Sequence, residues 1–263
     1  MTHDEFFAAV KQGNIARVYR FDGEEEHIKA KALEALRKRV LPEGLEALNE
    51  TILSNPPADD IIAASETLPM MADYRLVLVR DSALLTSGKA ANEADDSAKL
   101  TAYLERVPET TCIIFYVKGM PDGRKKLSQA LAKKATVVRF DRLNDVMLQK
   151  WIASQFRTYG KTISQANAAL LSFTAGNELL ILTREIHKLA AFAGERTEIE
   201  KTDIDAVVTK SLECTVFQMV DALVAGKETE AFEHLRVMLE NGEARFGILA
   251  MMSRQYRNPL HPK

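Results

Sequence analysis

The residues best suited to chemistry stand around one glycine turn, "RFDGEEEHIK" (20–29). The apolar run Val18 to Phe21 reads as a short strand. Gly23 breaks it, and a helical pattern opens on Glu24, Glu25 and Glu26. Strand, glycine turn and helix in that order offer backbone N–H groups and the positive end of a helix to a phosphate. A working phosphate loop also needs a lysine for the terminal phosphates and a hydroxyl for magnesium, in the pattern G-x-x-x-x-G-K-[ST]. This turn carries carboxylates instead. The helix dipole stabilises each by about 0.3–1 kcal/mol, and together they fill the field that a phosphate would enter. Elsewhere, "YGKT" (159–162) pairs Gly-Lys with a hydroxyl residue, but no glycine stands five residues before Gly160. A magnesium-holding carboxylate pair should end the strand at 75–79, which ends on Arg80 and a single Asp81. A polar sensor should end the strand at 111–117, which ends "YVKG". The expectation is phosphate-loop geometry without its chemistry: no ATP, no metal and no other cofactor.

A second candidate is "LPMM" (68–71). Pro69 disfavours a helical Leu68, so Leu68, Met70 and Met71 fall between the end of a helix and the strand at 75. Apolar side chains in a connection invite a partner, and methionine adapts to a pocket. The plainer reading folds them back into the core. A third is "GRKK" (123–126), where Arg124, Lys125 and Lys126 open a helix after a strand. They offer charge to DNA or to a neighbouring subunit, or else form a solvated face. His187 has no second ligand one turn away, and the other histidines form no spaced cluster. Cys112 and Cys214 form no CxxC pair, which excludes a disulfide framework and a cysteine zinc site. Trp151 lies on an apolar helical stripe and reads as packing.

The elements that must position these residues change character along the chain. Up to about residue 142, short apolar runs rich in β-branched residues alternate with helical patterns. The runs are Val18–Phe21, Leu48–Leu53, Arg75–Val79, Thr111–Val117 and Thr136–Phe140. Helical patterns fall at 24–41, 58–67, 95–106 and 124–134. Such alternation predicts a parallel sheet covered by helices. "TSGKAANEADDSAK" (86–99) is apolar-poor and reads as a flexible loop. After Asp141 the strand patterns stop. Helices are expected at 144–158, 177–193, 215–225, 228–240 and 244–257. A capping box is expected at "TDID" (202–205), with Thr202 as its N-cap, and the prolines of "RNPLHPK" should end the last helix.

The totals are those of a globular chain. Its 263 residues are 46% hydrophobic and 27% charged, with a formal charge of −2, so the chain as a whole is no polycation for nucleic acid. The first ten residues lack the basic start of a signal peptide, and no run reaches the roughly 20 apolar residues that span a bilayer. A cytoplasmic location and no membrane partner are expected.

Read together and in order, "FDGEEE" (21–26), "ETLPMMADYRLVLVRD" (66–81), "GRKKL" (123–127), "EIHKLAAFAG" (185–194), "DIDAVVTKSLE" (203–213) and "VFQMVDALVAGK" (216–227) resemble the delta subunit of the bacterial DNA polymerase III clamp loader. The resemblance spans nearly the whole chain. It implies an AAA+-like, RecA-like α/β domain at 1–142, a helical lid at 143–212 and the start of a helical collar at 213–263. Family members run considerably further, which implies a collar cut short here. The resemblance also implies a subunit that is itself non-catalytic, within a nucleotidyltransferase holoenzyme. Such a subunit grips the ring-shaped sliding clamp (beta) and opens one of its interfaces. Sister subunits of the gamma, tau and delta-prime type join it through the collar, ATP is hydrolysed among them, and primer-template DNA is met through the complex. Leu68, Pro69, Met70 and Met71 match the element that enters a pocket on the clamp. Gly23, Glu24, Glu25 and Glu26 match a degenerate nucleotide site. Leu179, in "GNELL", takes the place of an arginine that ATP-binding relatives carry. The alternative is a degenerate nucleotide-binding or phosphoryl-transfer enzyme with a helical tail; a plain helical scaffold is a weaker third reading.

Overall fold

In the computed structural model, which describes residues 1–88 and 92–257, the chain divides into two compact units, Met1–Arg142 and Leu143–Lys263. The first unit runs α1 (His3–Gln12), β1 (Val18–Asp22), α2 (Glu26–Val40), α3 (Glu46–Asn49), β2 (Glu50–Ser54), α4 (Ala58–Glu66), β3 (Arg75–Arg80), α5 (Glu93–Tyr103), β4 (Thr111–Tyr116), α6 (Lys126–Lys134) and β5 (Thr136–Arg139). Its five strands form one parallel sheet in the order β2-β3-β4-β1-β5. The expected α/β sheet is therefore present. β1 is an interior strand between β4 and β5, buried along its whole length although Arg20 and Asp22 lie within it. Their charges are met inside: Arg20 pairs with Asp22 at 2.7 Å and donates to the Ser128 carbonyl at 2.7 Å.

Three expectations about this unit need correction. The second strand starts at Glu50, not Leu48, because Glu46–Asn49 closes one helical turn first. Only Glu26 of the three glutamates is helical; α2 begins there, and Glu24 and Glu25 belong to the turn. The segment 86–99 is not one loop. Residues 89–91 lie outside the described residues, but α5 starts at Glu93. Its early buried positions are polar, Asp96 and Ser97, ahead of Leu100 and Tyr103. That is why no apolar period showed. Acidic residues in its first turn suit the helix dipole, and Lys99 bridges Asp95 and Asp59.

The second unit holds α7 (Asp145–Thr158), β6 (Thr162–Ile163), α8 (Gln165–Ala175), α9 (Leu179–Phe192), β7 (Glu198–Ile199), α10 (Lys201–Val207), α11 (Leu212–Val224), α12 (Glu228–Glu240) and α13 (Arg245–Arg257). It is largely helical, but strands do not stop entirely: β6 and β7 pair in parallel over two residues each, too short to leave a pattern. The capping box sits two residues earlier than expected. Glu200 is the N-cap of α10 and Asp203 its reciprocal partner, while Thr202 is already helical. Asp203 is also held at 2.7 Å by Arg196, whose guanidinium lowers its pKa. Buried Val216, Met219, Ala222, Ala231, Met238 and Ile248 form a cluster of α11–α13 alone. The proline tail beyond Arg257 lies outside the described residues. Among the described residues no helix is long and apolar enough to cross a membrane.

Candidate functional site

In an open parallel sheet, ligands bind beyond the carboxyl ends of the strands, where successive connections leave in opposite directions. Here that point lies between β1 and β4. The chain leaves β1 toward β2 on one side and leaves β4 toward β5 on the other. The turn at Gly23 sits at this crevice, as the sequence implied. Its polarity is the reverse of a phosphate site. The Gly23 N–H donates to the Gly119 carbonyl at 2.8 Å, and the Glu25 N–H to the Phe140 carbonyl at 2.9 Å. Both are engaged by the protein itself. Gly23 has φ +115°, and a Cβ there would stand 2.2 Å from the Phe140 oxygen, so glycine is needed for close approach of two backbones.

The decisive residue was quoted in the sequence motif but not recognised. Lys29, one turn into α2 and fully buried, turns its ammonium back into the turn. It donates to the Gly23 carbonyl at 2.6 Å, the Val117 carbonyl at 2.8 Å and Glu26 at 2.7 Å. The turn thus presents carbonyl oxygens to an internal cation rather than N–H groups to an external anion. Glu26 also accepts from the Tyr116 hydroxyl at 2.8 Å. Burial first, and then Glu26, push the Tyr116 pKa well above the ordinary phenol value, so Tyr116 remains a donor. Its ring lies 5.0 Å from the Lys29 ammonium and 5.4 Å from the Arg80 guanidinium. Glu24, exposed, pairs with Arg142 at 3.0 Å. Leu179 is buried at the first position of α9 in the second unit, where it supplies no charge.

The connection 67–74 between α4 and β3 lies at the opposite, amino end of the sheet. Leu68 is 74% exposed, Met70 57% and Met71 86%, while Pro69 is half-buried. The core reading of these three side chains is thereby excluded. The connection is nonetheless tied down. Arg75 donates to the Ala64 carbonyl in the last turn of α4 at 2.9 Å, to the Leu48 carbonyl at 3.0 Å and to Thr51 Oγ1 at 2.7 Å. Asn49 Oδ1 accepts the Met70 N–H at 2.7 Å, and Asn49 Nδ2 donates to the Met70 carbonyl at 2.9 Å. Sequence reading missed Asn49 by placing it inside a strand. An asparagine two residues ahead of Thr51 and Ile52 was the available signal, since that residue type is depleted in strands and favoured at turns.

The basic run is already engaged in part. Arg124 chelates Asp122 through Nε and Nη2 at 2.9 and 2.7 Å, and this guanidinium holds the Asp122 carboxyl well below the usual range. Lys125 pairs with Glu93 at 2.7 Å. Lys126 is exposed at the start of α6. The second unit carries an apolar groove of about 410 Å³ between α11, α12 and α13, lined by Leu223, Phe232, Leu235 and Leu249 among others.

Comparison with known proteins agrees with this architecture. The sequence pattern of the family "DNA polymerase III, delta subunit" matches residues 19–141, and that of its C-terminal domain matches 213–263. The chain is 28% identical over 263 residues to DNA polymerase III subunit delta of Bacillus subtilis (strain 168), covering 98% of this chain and 76% of that one. The solved Bacillus subtilis DNA clamp loader delta protein superposes with a TM-score of 0.71 at 27% identity, covering 97% of this chain and 76% of that one.

Proposed function

Because the chain belongs to the DNA polymerase III delta-subunit family, we propose that it is the clamp-loader subunit that grips the sliding clamp and opens one of its interfaces without hydrolysing ATP. The observation that carries this reading is the connection 67–74, where Leu68, Met70 and Met71 point outward from a backbone tied at both ends. Apolar side chains held out on a fixed backbone suit insertion into a hydrophobic pocket, because little freedom remains to be lost on docking. Pro69 keeps the element from continuing α4. The closed turn at Gly23 supports the non-catalytic part: ATP would have to displace Lys29 and break two backbone hydrogen bonds. The same geometry weighs against a phosphoryl-transfer enzyme.

The remaining partners follow from the same reading. Residues 143–212 act as the lid and 213–263 as the beginning of the collar, whose α11–α13 surface meets gamma, tau or delta-prime type subunits. Primer-template DNA is met through the assembled complex, with Lys126 the freest of the three basic residues at 124–126. The work is done in the bacterial cytoplasm. The test is direct binding to the cognate sliding clamp, comparing this chain with a Met70→Ala/Met71→Ala variant. Equal affinity would remove the proposed contact.

A further inference from the structure

We propose that Asn49 is a positioning residue whose side-chain amide fixes the backbone of Met70, so that Met70 and Met71 are presented ready-formed to their partner. The proposal rests on the clamp reading above and adds to it the device that shapes the element. Asn49 is fully buried. Its Oδ1 accepts the Met70 N–H at 2.7 Å, and its Nδ2 donates to the carbonyls of Met70 at 2.9 Å and Leu45 at 3.1 Å. One donor and one acceptor meet both backbone groups of a single residue, as a neighbouring strand would. The reverse amide orientation would set N–H against N–H and oxygen against oxygen, so the orientation is dictated by its partners.

The base of this clip is rigid. Asn49 ends α3 and runs directly into β2, which pairs with β3 from Glu50↔Leu76 to Ser54↔Arg80. Arg75, at the start of β3, holds the Leu48 carbonyl beside it. What the clip holds is strained: Met71 has φ +54°, a region that a long side chain rarely adopts and that persists only when its surroundings impose it. With Met70 fixed on one side and β3 beginning at Arg75 on the other, Met71 makes this turn and stands 86% exposed. Without the clip, an eight-residue connection carrying three apolar side chains would relax onto the domain's own surface. No other residue type of this size supplies the pattern: aspartate has no donor for the two carbonyls, and leucine has neither group.

The wild-type chain tests this first, by amide hydrogen exchange. The Met70 amide is expected to be protected, whereas that of exposed Met71 exchanges rapidly. A Met70 amide exchanging at the free-chain rate overturns the proposal, whatever any variant does. Next come Asn49→Ala and the near-isosteric Asn49→Asp, which keeps the acceptor and loses both donors. In folded Asn49→Ala, Met70 protection should fall at least tenfold while the amides of β3 keep theirs; Asn49→Asp still accepts the Met70 N–H, loses the grip on the Met70 carbonyl, and is read by clamp affinity. Affinity for the cognate sliding clamp should fall about tenfold. In a Met70→Ala/Met71→Ala background the same substitution should change affinity by less than twofold, since a positioning effect vanishes with the side chains it positions. Loss of affinity in the methionine variant but none in Asn49→Asp overturns the positioning role alone. Unchanged affinity in the methionine variant overturns the clamp reading beneath it. If Asn49→Ala does not fold, Asn49→Asp and the wild-type exchange still decide.

Discussion

The turn at 22–29 and the connection at 67–74 occupy opposite ends of one sheet and treat their polar and apolar groups in opposite ways. At the turn, the N–H groups of Gly23 and Glu25 and the carbonyl of Gly23 all find partners within the protein, and a buried lysine neutralises the centre. At the connection, a buried amide and a guanidinium satisfy the backbone from behind, and the apolar side chains stay in solvent. A site that takes no ligand is closed by its own hydrogen bonds, since a buried unsatisfied group costs about 1–3 kcal/mol. A site that keeps a partner leaves apolar surface unburied, and each such side chain forgoes about 1.5–3 kcal/mol until the partner arrives. The proposed function puts both solutions at strand ends of one sheet.

The contrast can be broken from the closed side with the largest effect. Gly23→Ala places a Cβ against the Phe140 carbonyl at a φ suited to glycine, and should destabilise the first unit by about 3 kcal/mol or more. Denaturant unfolding measures it, and a loss below about 1 kcal/mol would show that the two backbones are not held together. Lys29→Met keeps the stem and removes the cation, leaving the Gly23 and Val117 carbonyls unmet. A loss of about 2–4 kcal/mol is expected, again by denaturant unfolding, with clamp affinity little altered in the folded protein. If stability is unchanged, the internal cation is not what closes the turn.

From the open side the effect should move from stability to binding. Met70→Ala/Met71→Ala should weaken the clamp complex at least roughly tenfold, about 1.4 kcal/mol, while the melting temperature hardly changes because both side chains are exposed. A large drop in melting temperature with full clamp affinity would reverse the assignment and make the methionines packing residues. The smallest expected effect is none. ATP with magnesium should leave the melting temperature where it is, because a ligand stabilises only the state it binds. A saturable rise at sub-millimolar ATP would reopen the crevice at Gly23.

Periodicity was enough to locate what each residue's own neighbours in the chain decide. Continuous apolar runs such as Leu76–Val79 and Thr111–Phe115 marked buried parallel strands, because both faces of such a strand are covered. The lack of a phosphate-loop lysine and hydroxyl around Gly23, and an apolar trio placed outside any element at 68–71, were visible in the same way. Other outcomes required residues far apart in sequence to meet. The role of Lys29 depends on Val117, 88 positions away, and that of Asn49 on Met70, 21 positions away. The start of α5, ahead of the helix expected at 95–106, was hidden because its early buried positions are Asp96 and Ser97, whose burial only the packed fold determines. Whether Met70 and Met71 turn inward or outward was equally open in one dimension. An apolar side chain gains the same burial energy against its own core as against a partner. Only a backbone held from behind by Asn49 and Arg75 decides that it faces the solvent.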